Sequence, residues 1–291
     1  MIMNRFLTYL FCSITAVLAF AESPRAFLKA EYESMAKTIN TNTGDTVTNN
    51  KNFVLRIGQG KSFFFDPQTN RIDSLGNDPQ GKIMLEQAED AALQQAIANM
   101  NAGLGETWFD IREKMGISRG SRYKNIKDFN TKAITVWDSQ MGDIYRYPVE
   151  MTDLQWELMD STGMVLDYEC QLATADYHGR KWLAWFTQEI PVQDGPWQLC
   201  GLPGLIMEAV TADGEYGFTI NGIQQCDEPL GDPYENPDKV FKSTRIAVLR
   251  MKDYGSRNRA AQVSAMTGGK VNIKPTEYKE NIDYIETDYH E

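Results

Sequence analysis

Residues 191–206 (PVQDGPWQLCGLPGLI) constrain the fold more than any other stretch. Pro191, Gly195, Pro196, Gly201, Pro203 and Gly204 all fall within it. Proline fixes φ and removes a backbone donor, and glycine opens the left-handed region, so the chain must turn here repeatedly. Neither a long helix nor an unbroken strand can run through it. Short apolar runs flank it, KWLAWFT at 181–187 and LIMEAVT at 205–211. The expectation is a stiff corner joining two short strands, which excludes an all-helical chain.

Strand patterns recur on both sides. Residues 27–39 alternate imperfectly and read as a first strand. Residues 52–57 and 61–65 form a hairpin across Gly58-Gln59-Gly60, ended by Asp66-Pro67. Residues 133–138, 143–147 and 154–159 are short strands, punctuated by Gln140-Met141-Gly142 and Pro148. Over 164–172, Met164, Leu166, Tyr168, Cys170 and Leu172 share a face opposite Asp167, Glu169 and Gln171, which predicts one half-buried strand. The run 181–187 is apolar on both faces. Residues 205–211 and 216–223 form a hairpin about Asp213-Gly214.

Helical spacing is clearest over 85–100, where Leu85, Ala88, Ala92, Ala96 and Met100 keep a period near 3.6. That helix sits in a helical insertion spanning 76–118. Another helix is expected over 240–254, capped by Ser243 or Thr244. About nine short strands with hairpin links favour antiparallel pairing. The predicted fold is therefore mainly β (α+β): one large curved antiparallel sheet or half-open barrel, with helical insertions on its concave side.

The first residues read as an address. Arg5 precedes an apolar stretch over 6–20, and Ala19-Phe20-Ala21 fits a small-x-small cleavage site. Residues 1–21 are predicted to be a signal peptide, 22–226 a β domain, and 227–291 a linker marked by Pro229, Pro233 and Pro237 with a helical C-terminal extension. The expected location is the periplasm, or the cell envelope after secretion, as a soluble protein once the leader is cleaved. A hydrophobic content of 42% suits a packed core, and a net charge of -11 argues against nucleic acid as a partner.

The hexapeptide at 201–206 reads GLPGLI. Around it stand Asp167-Tyr168-Glu169-Cys170-Gln171-Leu172-Ala173-Thr174, Gly179-Arg180, Ala184-Trp185-Phe186-Thr187, Glu189-Ile190-Pro191 and Gly195-Pro196. Earlier, residues 52–66 read NFVLRIGQGKSFFFD. Together these resemble the GLPGLI family of exported Gram-negative envelope proteins, over roughly residues 27 to 223. The family's proline-bearing ending is reduced here to Asn281-Ile282-Asp283. The resemblance implies an exported protein, often encoded near TonB-dependent outer-membrane receptors. It implies no catalytic residue.

The residues themselves offer few chemical constellations. Cys170, Cys200 and Cys226 follow the leader, so one internal bridge and one free thiol is the most an oxidising compartment allows. Counting outward from the Asp213-Gly214 turn sets 205 opposite 222 and 201 opposite 226, which points to a Cys200–Cys226 disulfide worth roughly 3 kcal/mol. Cys170–Cys200 is the rival pairing. A cysteine nucleophile needs a histidine base, and only His178 and His290 exist. No CxxC or HxxxH pair supports a metal site, and Gly201-Leu202-Pro203-Gly204 lacks the lysine of a phosphate loop.

The aromatic set Trp182, Trp185, Phe186 and Trp197 reads either as core or as the lining of an apolar cavity. In the second case Gly201, Leu202, Pro203 and Gly204 form a rigid lip at its mouth. The leading expectation is a non-enzymatic binding or accessory protein without a cofactor, taking an apolar ligand or an outer-membrane transport partner. A hydrolytic enzyme and a metal or redox accessory protein are the alternatives.

Overall fold

The structure is a computed structural model that describes residues 24–39, 43–140, 142–234, 239–258, 264 and 284–290. The expected signal peptide, residues 1–21, lies outside the described residues. Three strands open the chain, β1 (Arg25–Ile39), β2 (Thr46–Gly58) and β3 (Lys61–Phe65). Three helices follow, α1 (Pro67–Asn77), α2 (Pro79–Asn101) and α3 (Trp108–Lys114). Then come β4 (Lys124–Asp128), β5 (Ala133–Gln140), β6 (Asp143–Glu150), β7 (Glu157–Val165), β8 (Tyr168–Tyr177) and β9 (Arg180–Thr187). The corner leads to β10 (Leu205–Thr211) and β11 (Tyr216–Pro229), and the short β12 (Val240–Lys242) precedes α4 (Arg245–Arg257).

The twelve described strands form one sheet in the order β12-β6-β5-β4-β3-β2-β1-β11-β10-β9-β8-β7. Every pairing is antiparallel except β12 with β6, so the sheet is mixed. β12 and β7 are its two edges, and it does not close into a barrel.

The sheet is nonetheless strongly curved, and the glycine-proline corner demonstrates it. Within the corner, Asp194 O accepts from Ile206 N of β10. Its neighbours Gly195 and Trp197 hold β4: Asn125 Nδ2 donates to Trp197 O at 2.7 Å and Lys127 Nζ to Gly195 O at 2.5 Å. β10 and β4 are separated by β11, β1, β2 and β3. On a flat sheet that separation would be roughly 24 Å, at about 4.8 Å per strand. One loop touches both, so the sheet folds round it.

The concave face is the main core. Ala30 and Tyr32 of β1, Leu55 of β2, Phe64 of β3, Trp182, Ala184 and Phe186 of β9, and Ala209 of β10 pack with Trp197, Leu199 and Leu202 of the corner. Each fully buried large side chain of this kind stabilises the fold by about 1.5–3 kcal/mol. Further along, Val248 of α4 packs on Ile134, Val136, Tyr147 and Val149.

The helical insertion is placed differently from expectation. Successive residues of β4 face opposite ways: Asn125 reaches the corner, whereas Lys124 Nζ reaches Asp73 of α1. Thus α1 lies on the convex side. α2 and α3 share a small core of their own around Ala92, Ile111 and Ile117. Of the four described α-helices only α4 reaches the concave side, beside the corner and residues 284–290. The insertion also starts earlier than predicted, because Asp66-Pro67 does more than end a strand. Asp66 Oδ1 accepts from Thr69 N at 2.8 Å with proline in the first turn, which is a helix start.

Three further corrections follow. The single strand expected over 164–172 is a hairpin: Leu166 turns the chain at φ 52°, and Met164 and Leu166 are exposed. The turn sets Val165 opposite Tyr168 and Met164 opposite Glu169, so parity reverses across it and the apolar residues of 164–172 do not share one face. β4 (KNIKD) was missed because its buried positions, Lys124, Asn125 and Lys127, are polar. The boundary expected after Cys226 falls inside β11, and the chain beyond it returns to the same sheet as β12.

Candidate functional site

A cavity of about 680 Å³ opens on the concave side. Phe53, Phe64, Trp197, Phe218, Met35 and Leu249 give it apolar walls, and Tyr123, Tyr216, Lys252, Asp138 and Glu286 supply polar atoms. The sheet curvature and the corner create it. Trp197, held at φ 53°, stacks on Trp182 with ring centroids 5.4 Å apart, and Trp182 stacks in turn on Phe218 at 6.4 Å.

Beside the cavity lies a buried polar cluster closed by residues 284–290. Arg245, at the first turn of α4, donates to Glu286 Oε2 at 2.7 Å and to both oxygens of Asp288 at 2.7 and 2.6 Å. Gln198 of the corner donates to Glu286 Oε1 at 3.2 Å and accepts from Tyr177 OH at 3.3 Å. His178 Nε2 lies 3.1 Å from the same Gln198 oxygen. Arg180 donates through Nε and Nη2 to Tyr284 O, and Thr287 N donates to His178 O. Lys252 Nζ meets Asp138 Oδ2 at 2.8 Å.

Burial dominates the electrostatics. It pushes the Glu286 carboxyl up to about 7, outweighing the Arg245 hydrogen bond that pulls the other way. It pushes His178 down to about 4, helped by the Arg245 charge and resisted by Asp288. His178 is therefore neutral at pH 7. Its single ring proton serves one of two acceptors, Gln198 Oε1 at 3.1 Å from Nε2 or Asp288 Oδ2 at 3.5 Å from Nδ1. Tyr177, Tyr123 and Tyr147 all have phenols raised chiefly by burial, so they act as hydrogen-bonding groups and not as anions.

The atoms of His178, Glu286 and Asp288 that could ligate a cation lie within 4.8 Å of one another. Arg245 already supplies the positive charge between the two carboxylates. A second cation there would have to displace it or share its oxygens.

The residues singled out in the sequence divide by face. Trp182, Phe186 and Trp197 sit on the concave side, whereas Trp185 points to the other and lies against Gly163. Trp197 alone of the four lines the cavity. Leu202 is buried in the core, and Gly201 and Pro203 are exposed. None of Gly201, Leu202, Pro203 and Gly204 lines the cavity, so the hexapeptide is not its lip. It seals the corner beneath Trp156, whose Nε1 donates to Cys200 O at 2.8 Å.

The Cys200–Cys226 bridge is not formed: Cys170, Cys200 and Cys226 are free thiols. The register behind it is right where the strands pair, since Glu208 faces Thr219. Pairing of β10 with β11 stops there, because the corner carries Cys200 over the concave face while β11 continues along β1. Cys226 Sγ ends 3.5 Å from Ala26 O. Burial pushes the Cys200 thiol up to about 11, the opposite of what a nucleophile needs.

Gln198, Arg245, Glu286 and Asp288 carried no sequence signal. They come from three distant stretches of the chain, 198, 245 and 286–288, and share no motif spacing. His178 was considered only as a partner for Cys200.

Two solved structures of PNGF-II, in P21 and C2 forms, are similar to this chain at 12% identity, with TM-scores of 0.48 and 0.44. They cover 79% and 78% of this chain, which spans about a third of theirs, 33% in both cases. No curated protein matches the chain. Over residues 177–208, which hold β9 and the whole glycine-proline corner, the chain matches the family described as Protein of unknown function (Porph_ging).

Proposed function

We propose that this is an exported binding protein of the cell envelope, similar to the GLPGLI family, whose concave cavity seats the apolar part of a ligand. The observation that supports the reading is the 680 Å³ space walled by Phe53, Phe64, Trp197 and Phe218. That volume is in the range of small-molecule sites, roughly 300–1,000 Å³. The polar atoms of Tyr123, Lys252 and Glu286 on its wall suit an amphipathic molecule better than a pure hydrocarbon. The partner we propose is an outer-membrane transport protein, on the strength of the family resemblance. No described helix is long and apolar enough to cross a membrane.

Native mass spectrometry of protein purified from its own envelope tests this directly. The expected result is an added mass from a co-purified apolar molecule. An environment-sensitive apolar fluorophore should bind saturably, weaken on Trp197→Ala, and be unaffected by Trp185→Phe on the far face. Absence of both the added mass and saturable fluorophore binding would overturn the reading.

A second reading, a hydrolytic enzyme, is favoured by one observation: Glu286, with its carboxyl raised to about 7, lines the same cavity. A carboxyl near neutrality suits acid–base work. Against it, Gln198 and Arg245 occupy both Glu286 oxygens, and the residue is 2% exposed. Hydrolysis that disappears in Glu286→Gln, with the fold retained, would favour the enzyme.

A further inference from the structure

A second cavity, of about 550 Å³, lies on the convex side, where α1, the start of α2, residues 119–124, β6 and residues Pro233, Tyr234, Lys239 and Val240 meet. Its charge is the reverse of the protein's. The chain carries a net -11, yet the described walls hold Lys82, Arg119, Arg122, Lys124 and Lys239 against a single carboxylate, Asp73. Asp73 is already shared, accepting from Arg119 Nε at 2.8 Å and Lys124 Nζ at 3.1 Å. Lys124 is fixed further by Pro233 O at 2.5 Å. Asp143 does not compensate. It is absent from the walls and projects with Tyr145, while Ile144 faces the cavity.

Arg122 is the key residue. Among the described residues it has neither a hydrogen-bond nor an ion-pair partner, and the same holds for Lys82 and Lys239. Arg122 is half-buried, and burial and then the Arg119 charge depress its basicity. The attraction of Asp73 is outweighed by the Arg119 charge, and that carboxylate is already shared by Arg119 and Lys124. The fork geometry of arginine matches two oxygens of a phosphate or sulfate, and the exposed Lys82 and Lys239 line the same cavity. Trp137, which is buried, and Tyr234 complete the described lining with aromatic rings.

We infer that this cavity is an oxyanion site, taking the phosphate or sulfate group of a ligand on Arg122, Lys82 and Lys239. The site is separate from the concave cavity and does not depend on what fills it, although Arg122 stands in the wall between the two. The group can arrive on a soluble ester or on a lipid headgroup, and the experiment separates these sources.

Titration calorimetry of the full chain with pyrophosphate, at ionic strength matched by chloride, reads the soluble form. Flotation with vesicles of phosphatidylcholine containing phosphatidic acid reads the lipid form. The expected result is saturable pyrophosphate binding that weakens with salt and falls at least about tenfold in both Arg122→Gln and the double variant Lys82→Gln/Lys239→Gln. Lys82 and Lys239 are exposed, so the double variant tests the site even if Arg122→Gln unfolds. Vesicle binding lost in these variants, without pyrophosphate binding, supports the site with a lipid source. No binding of either kind, or binding that both variants leave unchanged, overturns the inference.

Discussion

Lys127 Nζ lies 2.6 Å from Asp194 Oδ1, with the two side chains 0% and 1% exposed. The pair joins β4 to the glycine-proline corner across the hollow of the sheet. Asp194 Oδ1 also accepts from Gly195 N at 2.8 Å, so the carboxylate shapes the corner as well as anchoring it. Removing one partner leaves the other charge buried and alone. Lys127→Ala should cost about 3–5 kcal/mol, read from urea unfolding. Lys127→Met/Asp194→Leu should recover much of that loss, because no orphan charge remains. Equal destabilisation of the single and double variants would contradict the account.

His178 and Glu286 make opposite contributions to pH dependence. His178 is held at about 4, below its ordinary 6.5, so between these values the unfolded chain takes a proton that the folded one refuses. Its contribution therefore falls as pH falls through that window. Glu286 is held at about 7, above its ordinary 4.5, so the folded chain keeps a proton that the unfolded one has released. Its contribution is lost as pH rises through 4.5 to 7. The two nearly cancel between 4.5 and 6.5. Relative to the parent, Glu286→Gln should make stability rise with pH there, and His178→Gln should make it fall, each by up to about 1.4 kcal/mol per pH unit. Denaturant midpoints at two pH values decide it, and slopes of the same sign in both variants would refute it.

Gly204 is needed for close approach and Gly201 for its backbone angle. A Cβ at Gly204 would stand 2.0 Å from Thr187 O, a backbone atom that cannot swing away. At Gly201 nothing lies within 4 Å, but φ is +92°. Gly204→Ala should therefore cost about 1–3 kcal/mol or more, and Gly201→Ala only about 1 kcal/mol. Thermal melts that rank the two the other way would contradict the packing argument.

The three described cysteines should behave as separate thiols. Cys170 and Cys200 are buried with their thiols pushed up by burial, and Cys226 is only half-buried. Alkylation of the native protein should mark Cys226 first, with Cys170 and Cys200 reacting only on unfolding. A Cys200–Cys226 peptide recovered without reduction would reverse the assignment made here.

What could be read ahead of the structure was local. The β2–β3 and β10–β11 hairpins and the helical period of α2 follow from side-chain alternation and turn chemistry, which operate within a few residues. The mainly β class follows from them. β4 was hidden because its residues look solvated. It is a strand because β3 and β5 supply both its ladders, and because Asn125 and Lys127 find acceptors on a distant loop.

The same distinction separates the two sites from their sequence signals. The chain by itself determined where it turns, which residues alternate and that residues 191–206 form a stiff corner. Only the tertiary structure decided that the sheet bends round that corner, that Arg245 meets Glu286 and Asp288, and that Arg122 is left without a described partner. The physical reason is that strand and turn propensities are properties of neighbouring residues. Cavities, burial and the pairing of charges are set by segments that only the curvature of the sheet brings together.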